Sequence, residues 1–163
     1  MSFLSFSGII TMISDFWLRA NNDGEGCYQL MTVENQSGSI VNFVVSPDTY
    51  FVDHKALTIG DQVTGFYDAD APVPLIYPPQ YRAIVMAKAT ANQNVKVDFF
   101  NNELESNDGS LKLNLATNTK ILLENGQFFN RYPGNRNLIV VYGATTRSIP
   151  AQTTPSKVIV MCL

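Results

Sequence analysis

The sequence predicts an all-β protein made of two related small β-barrels that pack together, and three of its features carry this prediction. Apolar and polar residues alternate along residues 95–99 and 110–115, which is the pattern of strands with one buried face. Turn sequences rich in Gly, Asn and Asp separate such runs, at residues 22–24, 36–38, 107–109 and 125–126. The third feature is a resemblance of the chain to itself. No segment has the apolar period of an amphipathic helix, so strands are expected throughout.

The self-resemblance runs through most of the chain. The matched segments are residues 33–39 with 104–110, 48–49 with 118–119, 67–69 with 142–144, and 82–86 with 157–161. The spacing between them changes only where loops would absorb insertions. Repetition of one structural unit leaves this kind of trace in a sequence. We therefore expect two copies of one β unit, residues 1–90 and 91–163, with chance similarity among β-rich segments as the alternative.

The start of one predicted strand resembles a known small barrel. Residues 57–65 are similar to the approach to the fourth strand of oligomer-binding (OB) barrels, where a Gly turns left-handed before the strand. Gly60 occupies that place in the first copy. Asn135 occupies it in the second, and Asn tolerates the same conformation. The resemblance implies that each copy is a small OB-like barrel, a closed form that leaves no open sheet edge.

A second resemblance concerns the block of residues 65–81. This block resembles an uncharacterised bacterial family, and that resemblance implies no activity.

Charge narrows the choice of partner. The net charge of −3 and the isoelectric point near 5.0 argue against general nucleic-acid binding, which relies on Lys and Arg to neutralise phosphates. Acidic residues outnumber basic ones in residues 1–90, and the reverse holds in residues 91–163. A binder of single-stranded nucleic acid remains an alternative, supported by the fold and opposed by the charge.

No catalytic arrangement is evident. His54 is the only histidine, and it lies between Asp53 and Lys55, so a solvated surface position is expected. A single histidine excludes the usual zinc spacings, and no Gly-rich phosphate loop precedes a helix. The sequence therefore predicts no enzyme, no metal site and no cofactor.

Asp68 and Asp70 form the best candidate carboxylate pair. Calcium sites need more oxygen ligands than these two. We expect the pair to cap the end of a strand, with a carboxylate-based enzyme as the alternative.

The most unusual segment is residues 71–82, which we call the proline-aromatic loop. Its four prolines stiffen the backbone, so apolar and aromatic side chains are displayed at low entropic cost. We take Tyr77, Tyr81 and Arg82 as ligand-binding candidates, together with the neighbouring pair of aspartates. The alternative is a plug, in which Leu75, Ile76 and Tyr77 fold back over an open barrel end.

A second candidate surface lies in residues 128–136. Phe129, Arg131 and Tyr132 combine aromatic rings with positive charge, which suits stacking on bases or sugars. Docking of the mildly basic second copy on the acidic first copy is the interpretation we favour.

The two cysteines bear on localisation. We expect Cys27 and Cys162 to be reduced, buried thiols on strands, because free Cys behaves as a small hydrophobe. The first residues lack the pattern of a secretory signal, although a removed signal remains open. A cytoplasmic protein with no membrane association is the resulting expectation.

These observations predict a non-catalytic binding or interaction module. It would present the proline-aromatic loop to a protein or a saccharide, and neither the ligand nor the oligomeric state follows from the sequence.

Overall fold

The structure is a computed structural model that describes residues 1–16 and 26–163. The described residues are all-β: they form several sheets, and their only helical segment is a 3-10 turn at Val52–His54. Within those same residues, no helix has the length and apolar character needed to cross a membrane. The expected turn at residues 22–24 lies outside the described residues. The chain divides into two compact units, Met1–Ala89 and Thr90–Leu163.

The first unit contains one seven-stranded sheet. Its strands are β1 (Phe3–Asp15), β2 (Gln29–Glu34), β3 (Ile40–Val45), β4 (Tyr50–Phe51), β5 (Gln62–Asp68), β6 (Gln80–Arg82) and β7 (Val85–Lys88). The order across the sheet is β4-β7-β5-β1-β2-β3-β6. The long strand β1 pairs with β2 on one side and β5 on the other, both antiparallel.

The two sides of this sheet are joined by the short segment between β6 and β7. The Ala83 N–H donates to the carbonyl of Val44 in β3, at 2.9 Å. The next N–H, of Ile84, donates to the carbonyl of Phe66 in β5, at 2.8 Å. Two consecutive residues therefore bond to strands that lie three strands apart in the sheet order.

Inward-facing apolar side chains form the core of the first unit. Its buried members are Ile10, Met31, Val33, Val41, Phe43, Val45, Leu57, Val63, Ala83 and Met86. Gly65 is required beneath the Phe43 ring, because a Cβ at that position would lie 2.5 Å from a ring carbon. Burial alternates along β3, where Val41, Phe43 and Val45 face this interior.

The second unit is built from six strands. They are β8 (Asn94–Phe100), β9 (Leu111–Leu113), β10 (Lys120–Leu123), β11 (Arg136–Tyr142), β12 (Ala151–Thr153) and β13 (Lys157–Met161). Four of them form a sheet of order β10-β13-β11-β8, and β12 pairs with β9. The buried core residues are Phe100, Leu104, Leu111, Leu113, Leu138, Val140, Val158 and Val160.

The same kinds of pairing occur in both units, in the same chain order. The pairs β3–β6 and β4–β7 are parallel in the first unit, as are β9–β12 and β10–β13 in the second. The pairs β1–β5 and β5–β7 are antiparallel, as are β8–β11 and β11–β13. Gly60 and Asn135, which precede β5 and β11, both have the positive φ expected of them, at 96° and 59°.

One sequence match is wrong in its register. The N–H of Ser156 donates to the carbonyl of Val141 at 3.0 Å, as that of Ile84 donates to the carbonyl of Phe66. When the two units are aligned on these two bonds, Val85 corresponds to Lys157. The expected match of residues 82–86 with residues 157–161 is therefore out of register. The error arose because both segments are apolar runs, which look alike in several registers.

The two thiols are also not where the sequence predicts them. Cys27 lies in the turn before β2 and Cys162 follows β13, and both are free and exposed. Burial fails at Cys162 because the apolar strand ends at the buried Met161, one residue earlier. The inference from buried thiols to a cytoplasmic location therefore loses its basis.

Candidate binding surface

Asp68 fixes the beginning of the loop that connects β5 to β6. Its Oδ1 accepts hydrogen bonds from the backbone N–H groups of Ser2, at 3.1 Å, and Asp70, at 3.0 Å. Its carbonyl accepts the N–H of Ala71 at 3.2 Å. The bond from the Asp70 N–H to the Asp68 side chain is local, and such bonds are typical of turns. The backbone of Asp70 is thus bonded to Asp68, and Asp70 itself is exposed.

The middle of the proline-aromatic loop displays its apolar side chains. Leu75 is 102% exposed, Tyr77 80% and Ile76 54%, and the nearby Val73 is also exposed. Prolines cannot donate to a sheet, which keeps this stretch out of the strand pairing. The plug interpretation is therefore wrong for Leu75, Ile76 and Tyr77, because none of them covers the core.

Tyr81, at the end of the same loop, has a different environment. Its ring is stacked on that of Tyr67, with centroids 3.9 Å apart and an interplanar angle of 5°. Tyr67 in turn lies 6.3 Å from the Phe43 ring, between centroids. Burial raises the pKa of Tyr67, and the charge of Tyr81 and a hydrogen bond with it add to this effect. The neighbouring Arg82 is exposed.

Leu4 continues this apolar region at the start of β1. It pairs directly with Tyr67, and directly paired side chains on one face of a sheet lie within contact distance. Leu4 shares the face of Phe6 and the buried Ile10, yet it is exposed. Sequence reasoning missed Leu4 and Tyr67 as members of this surface, because only the strand register pairs Leu4 with Tyr67 and only the fold stacks Tyr67 on Tyr81.

The second predicted surface, residues 128–136, is partly fixed by internal contacts. The Arg136 guanidinium lies 4.7 Å from the centroid of the Phe129 ring, in a cation–π contact. The Tyr132 hydroxyl donates to the carbonyl of Asn102 at 2.6 Å. Arg131 and Phe128 are exposed. The contacts of Phe129 and Tyr132 thus hold the segment in place, although Tyr132 is itself 53% exposed and lies at the surface with Arg131 and Phe128.

A charged network organises the turn that follows β8. Asp108 accepts hydrogen bonds from the Ser106 hydroxyl at 2.6 Å and the Ser110 hydroxyl at 2.7 Å, and it forms an ion pair with Lys96. Burial opposes ionisation of Asp108, but these donors outweigh it and hold the pKa of the carboxyl well below its usual range. Tyr142 has a raised pKa, owing to burial and then to the charge of Asp108. Every donor in this network comes from the turn itself or from β8, so the carboxylate serves the fold.

His54 and the acidic residues form no metal site in the described part of the chain. Within residues 1–16 and 26–163, no group of three or more His, Cys, Asp or Glu side chains is placed to hold a metal ion. The His54 ring is exposed and contacts Tyr50 edge to face, with centroids 6.0 Å apart.

Comparison with protein-family models, with curated proteins and with solved structures finds no match to this chain.

Proposed function

We propose that the protein is a non-catalytic interaction module that binds a protein partner through its proline-aromatic loop. The observation that carries this proposal is the nearly complete exposure of Leu75 and Tyr77, with Ile76 between them. Contiguous exposed apolar side chains are uncommon on soluble proteins unless they form an interaction site. Prolines on both sides reduce the entropy that the loop loses on binding.

A protein partner suits this surface better than a saccharide does. Val73, Leu75 and Ile76 are aliphatic, and aliphatic groups gain most from burial against another apolar surface. Sugars stack on flat aromatic faces, and one face of the Tyr81 ring is already occupied by Tyr67. Nucleic acid is disfavoured by the excess of acidic residues in residues 1–90.

We further propose that each unit is a small OB-like barrel and that the two units are copies of one ancestral unit. The segment joining β6 to β7 supports closure of the first unit, because it bonds to β3 and to β5. The recurrence of the same pairings supports the duplication. In OB barrels, the loop between the fourth and fifth strands borders the ligand surface. The β5–β6 connection, which contains the displayed residues, corresponds to that loop.

The test compares capture of proteins by three forms of the chain. The first is the natural sequence, the second carries Leu75→Ser, Ile76→Ser and Tyr77→Ser, and the third is a control with Ile59→Ser and Ile149→Ser. The control removes exposed apolar side chains that lie outside the loop. We expect a partner that binds the natural chain and the control in a direct affinity measurement but binds the loop variant at least tenfold more weakly.

Equal binding by all three forms would contradict the proposal. Tight, salt-dependent binding of single-stranded oligonucleotides by the natural chain would instead favour the nucleic-acid alternative.

A further inference from the structure

The first half of β1 has a sheet partner on one side only. Residues 3–9 pair with β5, whereas the pairing with β2 covers residues 9–15. Within the described part of the chain, residues 3–7 therefore have a free edge on the side that β2 occupies further along the strand. None of these residues belongs to the proline-aromatic loop, so an inference drawn from this edge is independent of the proposed function.

The backbone groups along this edge point away from β5. The carbonyl of Phe66 in β5 accepts the N–H of Ile84 at 2.8 Å, on the side that faces away from β1. In an antiparallel pair, residues directly opposite each other either exchange both bonds or both turn away. Ser5 lies opposite Phe66, so its N–H and C=O point to the free edge, and those of Phe3 and Ser7 follow by alternation. No described residue is hydrogen-bonded to these backbone groups.

The sequence of this strand does not protect the edge from pairing. Residues 1–14 contain no charged side chain and no proline. Soluble proteins commonly use both to keep edge strands from pairing with other chains. Ser5 and Ser7 are also exposed, so the edge is accessible. An uncharged, exposed edge of this kind is a template for a further strand.

The corresponding strand of the second unit, β8, differs in this respect. It carries two charged residues, Lys96 and Asp98, and both are bonded to the turn that follows it. Lys96 forms an ion pair with Asp108, and the Asp98 carboxylate accepts the N–H of Asp108 at 3.1 Å. Strand β8 is thus charged and held by a neighbouring turn, whereas β1 is uncharged where its edge is free.

A strand that pairs with this edge has to meet two requirements. Its backbone must be extended, so that it can bond to Phe3, Ser5 and Ser7. Its side chains must be apolar on the face of Leu4 and Phe6, since Leu4 is 53% exposed there, and small on the face of the two serines. The first half of β1 itself has this pattern.

We propose that two copies of this chain pair through the free edges of β1, antiparallel and with Ser5 opposite Ser5 of the second copy. Leu4 then lies opposite Phe6 of the second copy, which covers its exposed side chain. The outward backbone groups of the two strands exchange about six hydrogen bonds. Two preformed strands lose less entropy on pairing than a disordered peptide does, which favours a second copy as the occupant. Both copies use the same residues, so the assembly closes as a dimer.

The test is the oligomeric state of the full chain, measured by sedimentation velocity between about 1 and 300 µM. We expect a concentration-dependent equilibrium between monomer and dimer, with no larger species. Ser5→Lys and Ser5→Glu each place like charges opposite each other, so each variant alone should dimerise about tenfold more weakly. An equimolar mixture of the two variants should dimerise again, because the facing charges are then opposite. Thr117→Lys and Thr117→Glu, at an exposed position of the second unit, are the matched controls and should dimerise like the natural chain.

Three results would overturn the proposal. The first is a natural chain that stays monomeric at about 300 µM, which would leave the free edge to a strand of another protein. The second is unchanged dimerisation of both Ser5 variants. The third is a mixture of the two variants that stays monomeric while each retains the circular dichroism spectrum of the natural chain.

Discussion

Asp108 connects three neighbours through one side chain, and its ionised form is what the fold stabilises. The donors are Lys96, Ser106 and Ser110, and together they lower the pKa of this carboxyl in the folded state. A group with a lowered folded pKa contributes stability above its unfolded pKa, for which the ordinary value is 3.8. That contribution is lost as the pH falls through the folded pKa.

We therefore expect Asp108→Asn to be less stable than the natural chain at pH 7, with the difference shrinking as the pH falls below about 4. Urea unfolding between pH 2 and pH 7 measures this dependence. Glu103→Gln removes an exposed acid near the same turn, and its difference in stability from the natural chain should not depend on pH in this way. A difference in the free energy of unfolding between Asp108→Asn and the natural chain that stays constant from pH 2 to pH 7 would contradict the ionic explanation.

The two cysteines offer a direct test of exposure. Because Cys27 and Cys162 are free and exposed, both should react with a thiol reagent in the native protein without denaturant. Counting the modified thiols by mass spectrometry checks this. Labelling that occurs only after unfolding would show that the thiols are shielded.

The proline-aromatic loop separates two tyrosines that look equivalent in the sequence. Tyr77 extends into solvent, whereas Tyr81 enters β6 and stacks on Tyr67. The sequence correctly predicts a rigid, displayed segment, because proline restricts the backbone wherever it occurs. It cannot predict the position of Tyr81, which depends on pairing of β6 with β3 and on the long-range neighbour Tyr67.

This contrast predicts different costs for two equivalent truncations. Tyr81→Ala should lower the free energy of unfolding by about 2 kcal/mol, since it removes half-buried aromatic area and a stacked pair. Tyr77→Ala should change it by less than about 0.5 kcal/mol, as surface substitutions do. Urea unfolding of both variants provides the comparison. Equal costs would mean that the two side chains share one environment.

The two units contain the same threonine contact. The Thr49 hydroxyl donates to the carbonyl of Ala83 and the Thr119 hydroxyl to that of Pro155, both at 2.8 Å. Each hydroxyl also accepts a backbone N–H, from Ser46 and Ala116 respectively. The sequence suggested this match through the short segments 48–49 and 118–119, where a specific polar residue marks the register. The match between the two halves of the sequence is wrong at residues 82–86, because apolar residues alone do not specify a register.

If the units are related, the two contacts should have similar energetic value. Thr49→Val and Thr119→Val should each cost about 1–3 kcal/mol, because each leaves a backbone donor and a carbonyl without their partner. Thr117→Val, at an exposed neighbouring position, is the control and should be nearly neutral. If the losses in free energy of unfolding for Thr49→Val and Thr119→Val differ severalfold, the two threonine contacts do not contribute equally to the two units.

The all-β character and the alternation along residues 110–115 followed from local periodicity, and the left-handed residues Gly60 and Asn135 from their residue types. The alternation expected along residues 95–99 is wrong at its end, because Asp98 is buried and Phe99 is exposed. The pairing of Lys120 with Lys157 did not follow from the sequence, because these residues are far apart in sequence and become neighbours only through the register of β10 with β13. Surfaces that depend on strand pairing are thus the part that the sequence leaves undetermined.

The proposed interaction surface requires that the side chains of the proline-aromatic loop are exposed rather than packed against the core. The deciding measurement is the free energy of unfolding of the variant with Leu75→Ser, Ile76→Ser and Tyr77→Ser, compared with the natural chain. Because all three side chains are exposed, we expect a change within about 0.5 kcal/mol. A loss of about 3–5 kcal/mol, the cost of removing large buried side chains, would show that the loop covers the core and would contradict the proposed interaction surface.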